Sequence, residues 1–129
     1  MKRKYLDDIG VDLWTELEDD KRQARWAQER EEYGFDERDT WCMDYAFYCW
    51  LYERLKMYLE RASKIVQLDF HKFEYEGEEL TQQECIDRMI YGCEVYFAQE
   101  DEWNISEEDQ KIISDIAKIW AIVLPAMWW

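Results

Sequence analysis

From residue 41 to residue 52 the chain carries one charged side chain, Asp44, in twelve positions. A helix apolar on every side has to be buried on every side. Residues 36–66 are therefore expected to form a central helix, with its neighbours wrapped around it. Upstream, Leu13, Trp14, Leu17, Ala24, Trp26 and Ala27 make a patchy stripe beneath a dense polar face. That pattern predicts an outer helix from about Val11 to Tyr33, preceded by a frayed tip over residues 1–10. Gly34 suits the left-handed position that ends this helix, and Asp36 suits the N-cap of the next, so residues 33–41 read as a tight corner.

Downstream, Phe70, Phe73 and Tyr75 stand among polar residues and lead to Glu76-Gly77, which predicts a short extended or hairpin-like arm over residues 67–79. Thr81-x-x-Glu84 has the form of a capping box, and Ile86, Met89, Ile90, Cys93, Tyr96 and Phe97 follow at helical spacing. Gly92 on that helix would permit a close crossing. Ser106-x-x-Asp109 reads as a second capping box. Behind it Ile112, Ile113, Ile116, Ile119, Trp120 and Val123 form the apolar stripe of a last helix, ended or kinked by Pro125. The tail, residues 126–129, either folds back on the core or offers Trp128 and Trp129 as an aromatic patch for a partner or for self-association. The expected fold class is all-α: one domain over residues 1–129, a compact bundle of about four helices around the central one.

With 31 acidic against 16 basic side chains the formal net charge is −15, a field that repels nucleic acid and anionic lipid and attracts basic surfaces. Residues 1–40 hold 13 acids and 8 bases, residues 41–66 hold 3 and 4, and residues 67–129 hold 15 and 4. The negative surplus thus belongs to the elements around the apolar segment. Aromatic residues at 17% argue against a disordered acidic chain. No stretch reaches the roughly 18 apolar residues of a membrane span, and MKRKYLDDIG lacks the apolar run of a secretory signal. The expectation is a cytoplasmic protein with no membrane partner.

Cys42 and Cys49 are seven apart and Cys85 and Cys93 eight apart. On one helix each pair would be separated by roughly 10–12 Å, too far for a disulfide or a shared zinc ion. They read as reduced core residues. His71 is the only histidine and has no partner set for a triad or a metal site. Asp44, the lone acid in the apolar segment, would need a partner if buried. Arg38, Arg54 and Arg88 are the candidates, or else amides at the corner.

The run Gly34-Phe35-Asp36-x-x-Asp39-x-Trp41-x-Met43-Asp44-Tyr45-x-Phe47, followed by Leu51-x-x-Arg54-Leu55-Lys56, resembles a family of small acidic proteins encoded by bacteriophages and prophages. The resemblance continues through Gly77-x-Glu79-Leu80-Thr81 and covers most of residues 33–100. It implies a phage origin and a helical fold and carries no catalytic residue; Gly34, Asp36, Trp41 and Asp44 are read from their own chemistry as structural positions.

Two classes of function follow. In the first, the chain is not an enzyme and needs no cofactor. It covers a basic, nucleic-acid-binding surface of a host protein, such as a defence nuclease, with carboxylates standing in for phosphates. Its contacts would be Glu74, Glu76, Glu78, Glu79, Glu100, Asp101, Glu102, Glu107, Glu108 and Asp109. In the second, Glu29-x-x-Glu32 and Glu84-x-x-Asp87 hold magnesium as in all-helical nucleotide pyrophosphohydrolases. Such pairs arise readily by chance in so acidic a chain, Glu84 already serves a cap, and no basic cluster awaits a triphosphate. A structural role in a phage particle is a further alternative.

Overall fold

The computed structural model describes residues 11–101 and 103–129. The tip over residues 1–10, Glu102 and the side chains of residues 11–21, Leu13, Trp14 and Leu17 among them, lie outside the described residues. Helices α1 (Val11–Tyr33), α2 (Arg38–Trp41) and α3 (Met43–Ala62) come first. The hairpin strands β1 (Lys72–Tyr75) and β2 (Glu78–Thr81) follow, then α4 (Gln82–Phe97), α5 (Glu107–Val123) and a 3₁₀ turn, Leu124–Ala126. The protein is mostly helical with one small antiparallel sheet. Two compact units divide it, Met1–Trp50 and Leu51–Trp129.

In the first unit, α1 ends as its sequence predicts. Gly34 takes φ 83° and its amide donates to Arg30 C=O at 2.9 Å, closing the helix with a residue that has no Cβ to clash. The next helix departs from expectation. Instead of running unbroken from residue 36 it stops at Trp41, because Cys42 leaves helical geometry at φ −138°, ψ 76°, and restarts at Met43.

The expected enclosure of residues 41–52 is also corrected. Ala46 and Leu51 are buried, but Trp41, Met43 and Trp50 are exposed, Met43 at 69%. Aromatic side chains here shelter one another: Phe47 stacks on Trp50 with centroids 6.4 Å apart, and Ala46 packs against Tyr45 and Cys49. An apolar run rich in rings can thus meet part of its burial within its own helix. Asp44 is exposed too, in the first turn of α3, where the positive end of the helix favours it and no burial has to be offset. Arg38, one of the three arginines considered for it, is bound to Asp36.

The second unit has the conventional core. Leu51, Leu55 and Ala62 make the buried stripe of the later part of α3, and Tyr52 meets Phe97 edge-on at 5.4 Å. Helices α4 and α5 form the closest pair, burying Cys85, Ile86, Met89 and Cys93 of one and Ile116, Ile119 and Val123 of the other. Gly92 sits at their crossing. A Cβ built there would lie 2.6 Å from Ile116 Cγ1 and 3.3 Å from Ile112 C=O, so the backbones approach as only glycine allows. Cys85 and Cys93 act as small core residues, as their spacing suggests, whereas Cys42 is exposed; none of the four cysteines forms a disulfide.

The caps follow from local chemistry. Thr81 accepts from Glu84 N–H at 3.1 Å while Glu84 Oε1 accepts from Thr81 N–H at 3.2 Å, the complete reciprocal box. At α5 only half of the predicted box forms. Ser106 Oγ accepts from Asp109 N–H, but the shorter Asp109 carboxylate turns to Gln99 Nε2 at 3.1 Å. Pro125 closes the helix at Val123 and the chain tightens into the 3₁₀ turn. The tail's backbone does fold back: Gln82 Nε2 donates to Ala126 C=O and to Tyr58 Oη, and Tyr58 donates to Trp128 C=O at 3.2 Å. The rings of Trp128 and Trp129 stay exposed.

Replacing Gly92 by alanine improves intrinsic helix propensity by up to about 1 kcal/mol, but it drives a methyl group into Ile116 and the α5 backbone. The expected outcome is a net loss of about 1–3 kcal/mol, measured by urea unfolding of Gly92→Ala against the parent. A gain in stability would show that the crossing is looser than its distances state.

Candidate functional site

Hairpin geometry decides where the acidic side chains go. The register pairs Lys72 with Thr81, Phe73 with Leu80, Glu74 with Glu79 and Tyr75 with Glu78. The two-residue loop takes left-handed backbone at both positions, Glu76 at φ 50° and Gly77 at φ 80°, as a type I′ turn requires. Alternation then turns Phe73, Tyr75 and Leu80 inward and leaves Glu74 and Glu79 on the outer face. These two carboxylates are directly opposite each other, exposed, and paired with no cation among the described residues. Like charges in that relation oppose the sheet.

The other predicted contacts divide. Glu78 pairs with Arg88 at 2.7 Å and Glu76 with Lys111 at 2.8 Å, so both are partly neutralised. The Lys111 contact brings the hairpin tip beside the start of α5, one helical turn beyond Glu107 and Glu108, which are exposed. Asp109 is half-buried and bound to Gln99. Glu100 is exposed on the link, and the Asp101 carboxylate accepts from Trp103 N–H at 3.0 Å. Among the described residues, Glu74, Glu79, Glu100, Glu107 and Glu108 are thus the predicted contacts that are exposed and outside the ion pairs and hydrogen bonds just described; Glu102 lies outside the described residues.

Beneath the tip lies a cluster that sequence spacing only half announces. Tyr75 donates its hydroxyl hydrogen to Asp115, and Lys111 Nζ bridges Asp115 and Glu76 while lying 5.6 Å from the Tyr75 ring. Lys111 and Asp115 are a helical i, i+4 pair readable from sequence, but Tyr75 joins them from 36 or more positions away. Burial, reinforced by the Asp115 carboxylate, pushes the Tyr75 hydroxyl up to about 12. Burial alone would raise Asp115, yet the Lys111 and Tyr75 hydrogen bonds outweigh it and hold the carboxyl below its ordinary value. Lys111 is raised by its two carboxylate partners. The cluster pins the hairpin on α5.

A second constellation holds the corner of the first unit. Asp36 is 1% exposed and accepts from Arg38 N–H, Arg38 Nε and Arg38 Nη2, and from Arg30 Nη1 at 2.8 Å. The N-cap of α2 falls on Glu37, with no side-chain cap bond, rather than on Asp36 as expected; Asp36, one position earlier, is instead the centre of an ion-pair network. Burial by itself would raise Asp36, and the two guanidinium groups more than reverse that. Trp26, fully buried, has Arg38 over its ring at 4.4 Å and Trp41 edge-on at 5.8 Å. Its indole N–H donates to Glu37, which with Arg25 behind it holds that carboxyl low.

The magnesium alternative finds its pairs engaged locally. Glu84 caps α4, Asp87 accepts from Gln83 Nε2 at 3.1 Å, and Glu29 accepts from Glu37 N–H. Among the described residues no three His, Cys, Asp or Glu side chains gather where they could hold one ion. His71 is exposed, its ring edge-on to Phe70. No helix of the described residues is long and apolar enough to cross a membrane.

Two measurements check these networks. Arg38→Met leaves the buried Asp36 carboxylate to Arg30 and the backbone N–H of residue 38, with no second guanidinium, and is expected to cost about 3 kcal/mol. Because the Asp36 value is lowered in the folded state, its contribution is present above the ordinary carboxylate range and lost as pH falls through the folded value. The variant should therefore begin its acid unfolding at higher pH. For Tyr75 the sign reverses: its value is raised, so its contribution is full below pH 10 and lost as pH climbs toward about 12. Phenolate absorbance should show one tyrosine ionising late, and Tyr75→Phe should remove that step. No protein-family model, curated protein or solved structure matches the chain, which leaves its own residues to indicate what it binds.

Proposed function

We propose that this chain is an acidic interaction protein of phage type. It covers a basic surface on a host protein inside the host cell, imitating nucleic acid and so inhibiting a defence nuclease or another nucleic-acid-binding protein. The observation that supports this reading is the outer hairpin face, where Glu74 stands opposite Glu79 with no cation at either among the described residues. A strand pair gains from opposite charges in that relation and loses from like ones. An arrangement that opposes the fold but concentrates negative charge on an exposed face fits a surface made to meet cations. Lysines and arginines of a nucleic-acid groove would relieve the repulsion on contact, and the net charge of −15 would steer the encounter.

The experiment is affinity capture from host lysate with the parent chain and with Glu79→Lys/Glu100→Lys. The parent is expected to retain a nucleic-acid-binding protein and block its binding to nucleic acid. That protein should be released as salt rises from about 50 to 200 mM, and the variant should not retain it. Glu79→Lys also converts a like-charge pair into an opposite one, so the single variant should gain about 0.5 kcal/mol of stability while losing its partner. Equal capture by parent and variant sinks the reading.

A further inference from the structure

Backbone bonding around the hairpin singles out one open edge. Gln82 N–H donates to His71 C=O at 3.2 Å, which marks residues 71 and 82 as a bonded pair at the base of the ladder. Bonded and non-bonded pairs alternate in an antiparallel ladder, so Phe73/Leu80 and Tyr75/Glu78 are bonded and Lys72/Thr81 and Glu74/Glu79 are not. Lys72 and Glu74 therefore point their N–H and C=O groups away from β2, and no partner among the described residues takes them. The matching edge of β2 is closed at Thr81, whose N–H is held by Glu84 and whose chain turns into α4. Unpaired edges are templates for another strand.

The side chains on that edge choose the occupant. Lys72 and Glu74 are exposed on the same outer face, two positions apart and opposite in charge, with Phe73 half-buried between them on the inner face. We propose that the β1 edges of two copies of this chain pair antiparallel about a two-fold axis through Phe73, joining the hairpins into a four-stranded sheet. In that register Lys72 of each copy faces Glu74 of the other. Both residues exchange backbone bonds across the junction, and the two Phe73 rings meet at a non-bonded pair, where side chains lie closest. Glu74, which faces Glu79 on one side, gains a cation on the other. Centring the pairing on residue 72 or on residue 74 would instead set like charges face to face, so charge selects the Phe73 register. A basic peptide on the same edge would confront Lys72, which makes a second copy the better fit. The inference is independent of the basic-partner reading, whose variants leave this edge unchanged.

Sedimentation of the full chain across roughly 10–500 μM tests it, the range for an interface this small. Physiological salt gives a screening length of about 8 Å, which damps the net repulsion between copies more than the contacting pairs. The parent should shift from monomer toward dimer. Lys72→Glu and Glu74→Lys should each stay monomeric, and their equimolar mixture should regain the dimer, because every facing pair is then opposite in charge. That recovery also shows that both variants are folded. A parent monomeric at the highest concentration, a single variant that still dimerises, or a mixture that stays monomeric would each overturn the proposal; dimerisation indifferent to both changes would place the interface elsewhere, as at Trp128 and Trp129.

Discussion

The close approach of two helix backbones at Gly92 governs the second unit. With a hydrogen where other residues carry carbon, α4 lets Ile116 settle against its main chain. Ile86, Met89, Cys93, Ile119 and Val123 then close the seam without a wide gap to fill. The hairpin follows from that spacing. It reaches α4 through Glu78 and Arg88 and α5 through Tyr75 and Asp115, which it can do only because the two helices present neighbouring surfaces. Interior packing tolerates little change in volume, so one absent side chain sets the platform on which the acidic strands are displayed.

The first unit meets its need for order by different means. Its described residues hold few aliphatic side chains, and its tightest spot is a carboxylate. Taking Asp36 out of water unaided would cost several kcal/mol. Arg38 grips it through backbone and side chain alike while lying flat on Trp26, and Arg30 adds a further bond. An ion pair of this kind adds little to stability compared with apolar packing of the same volume, but losing one member is expensive. Its contribution is therefore geometric: it sets the angle at which the chain leaves α1.

What could be read in the sequence was what neighbours along the chain decide. Gly34, the Thr81 box, the Ser106 cap, Pro125 and the loop at Glu76-Gly77 each act within a few positions, and each stands where its local chemistry puts it. The readings that failed needed knowledge of what lies opposite. The apolar stretch at 41–52 predicts enclosure on all sides, but apolar is not the same as covered when tryptophan and phenylalanine stack within one helix. Asp44, in the same stretch, is likewise exposed. The break at Cys42 carries no proline or glycine to announce it. Of the described candidate contacts, exposure is legible from charge for all but the half-buried Asp109, whereas the neutralisation of Glu76 and Glu78 depends on cations brought in from other helices.

The hold on residues 126–128 has a consequence of its own. Gln82 and Tyr58 grasp main-chain oxygens of Ala126 and Trp128, and only Met127 contributes a side-chain atom, its sulfur, to the grip. A latch that reads carbonyls is blind to the identity of what hangs from them. The path of the tail would persist with almost any residues at positions 128 and 129, so folding makes no demand for the two indoles that face water there.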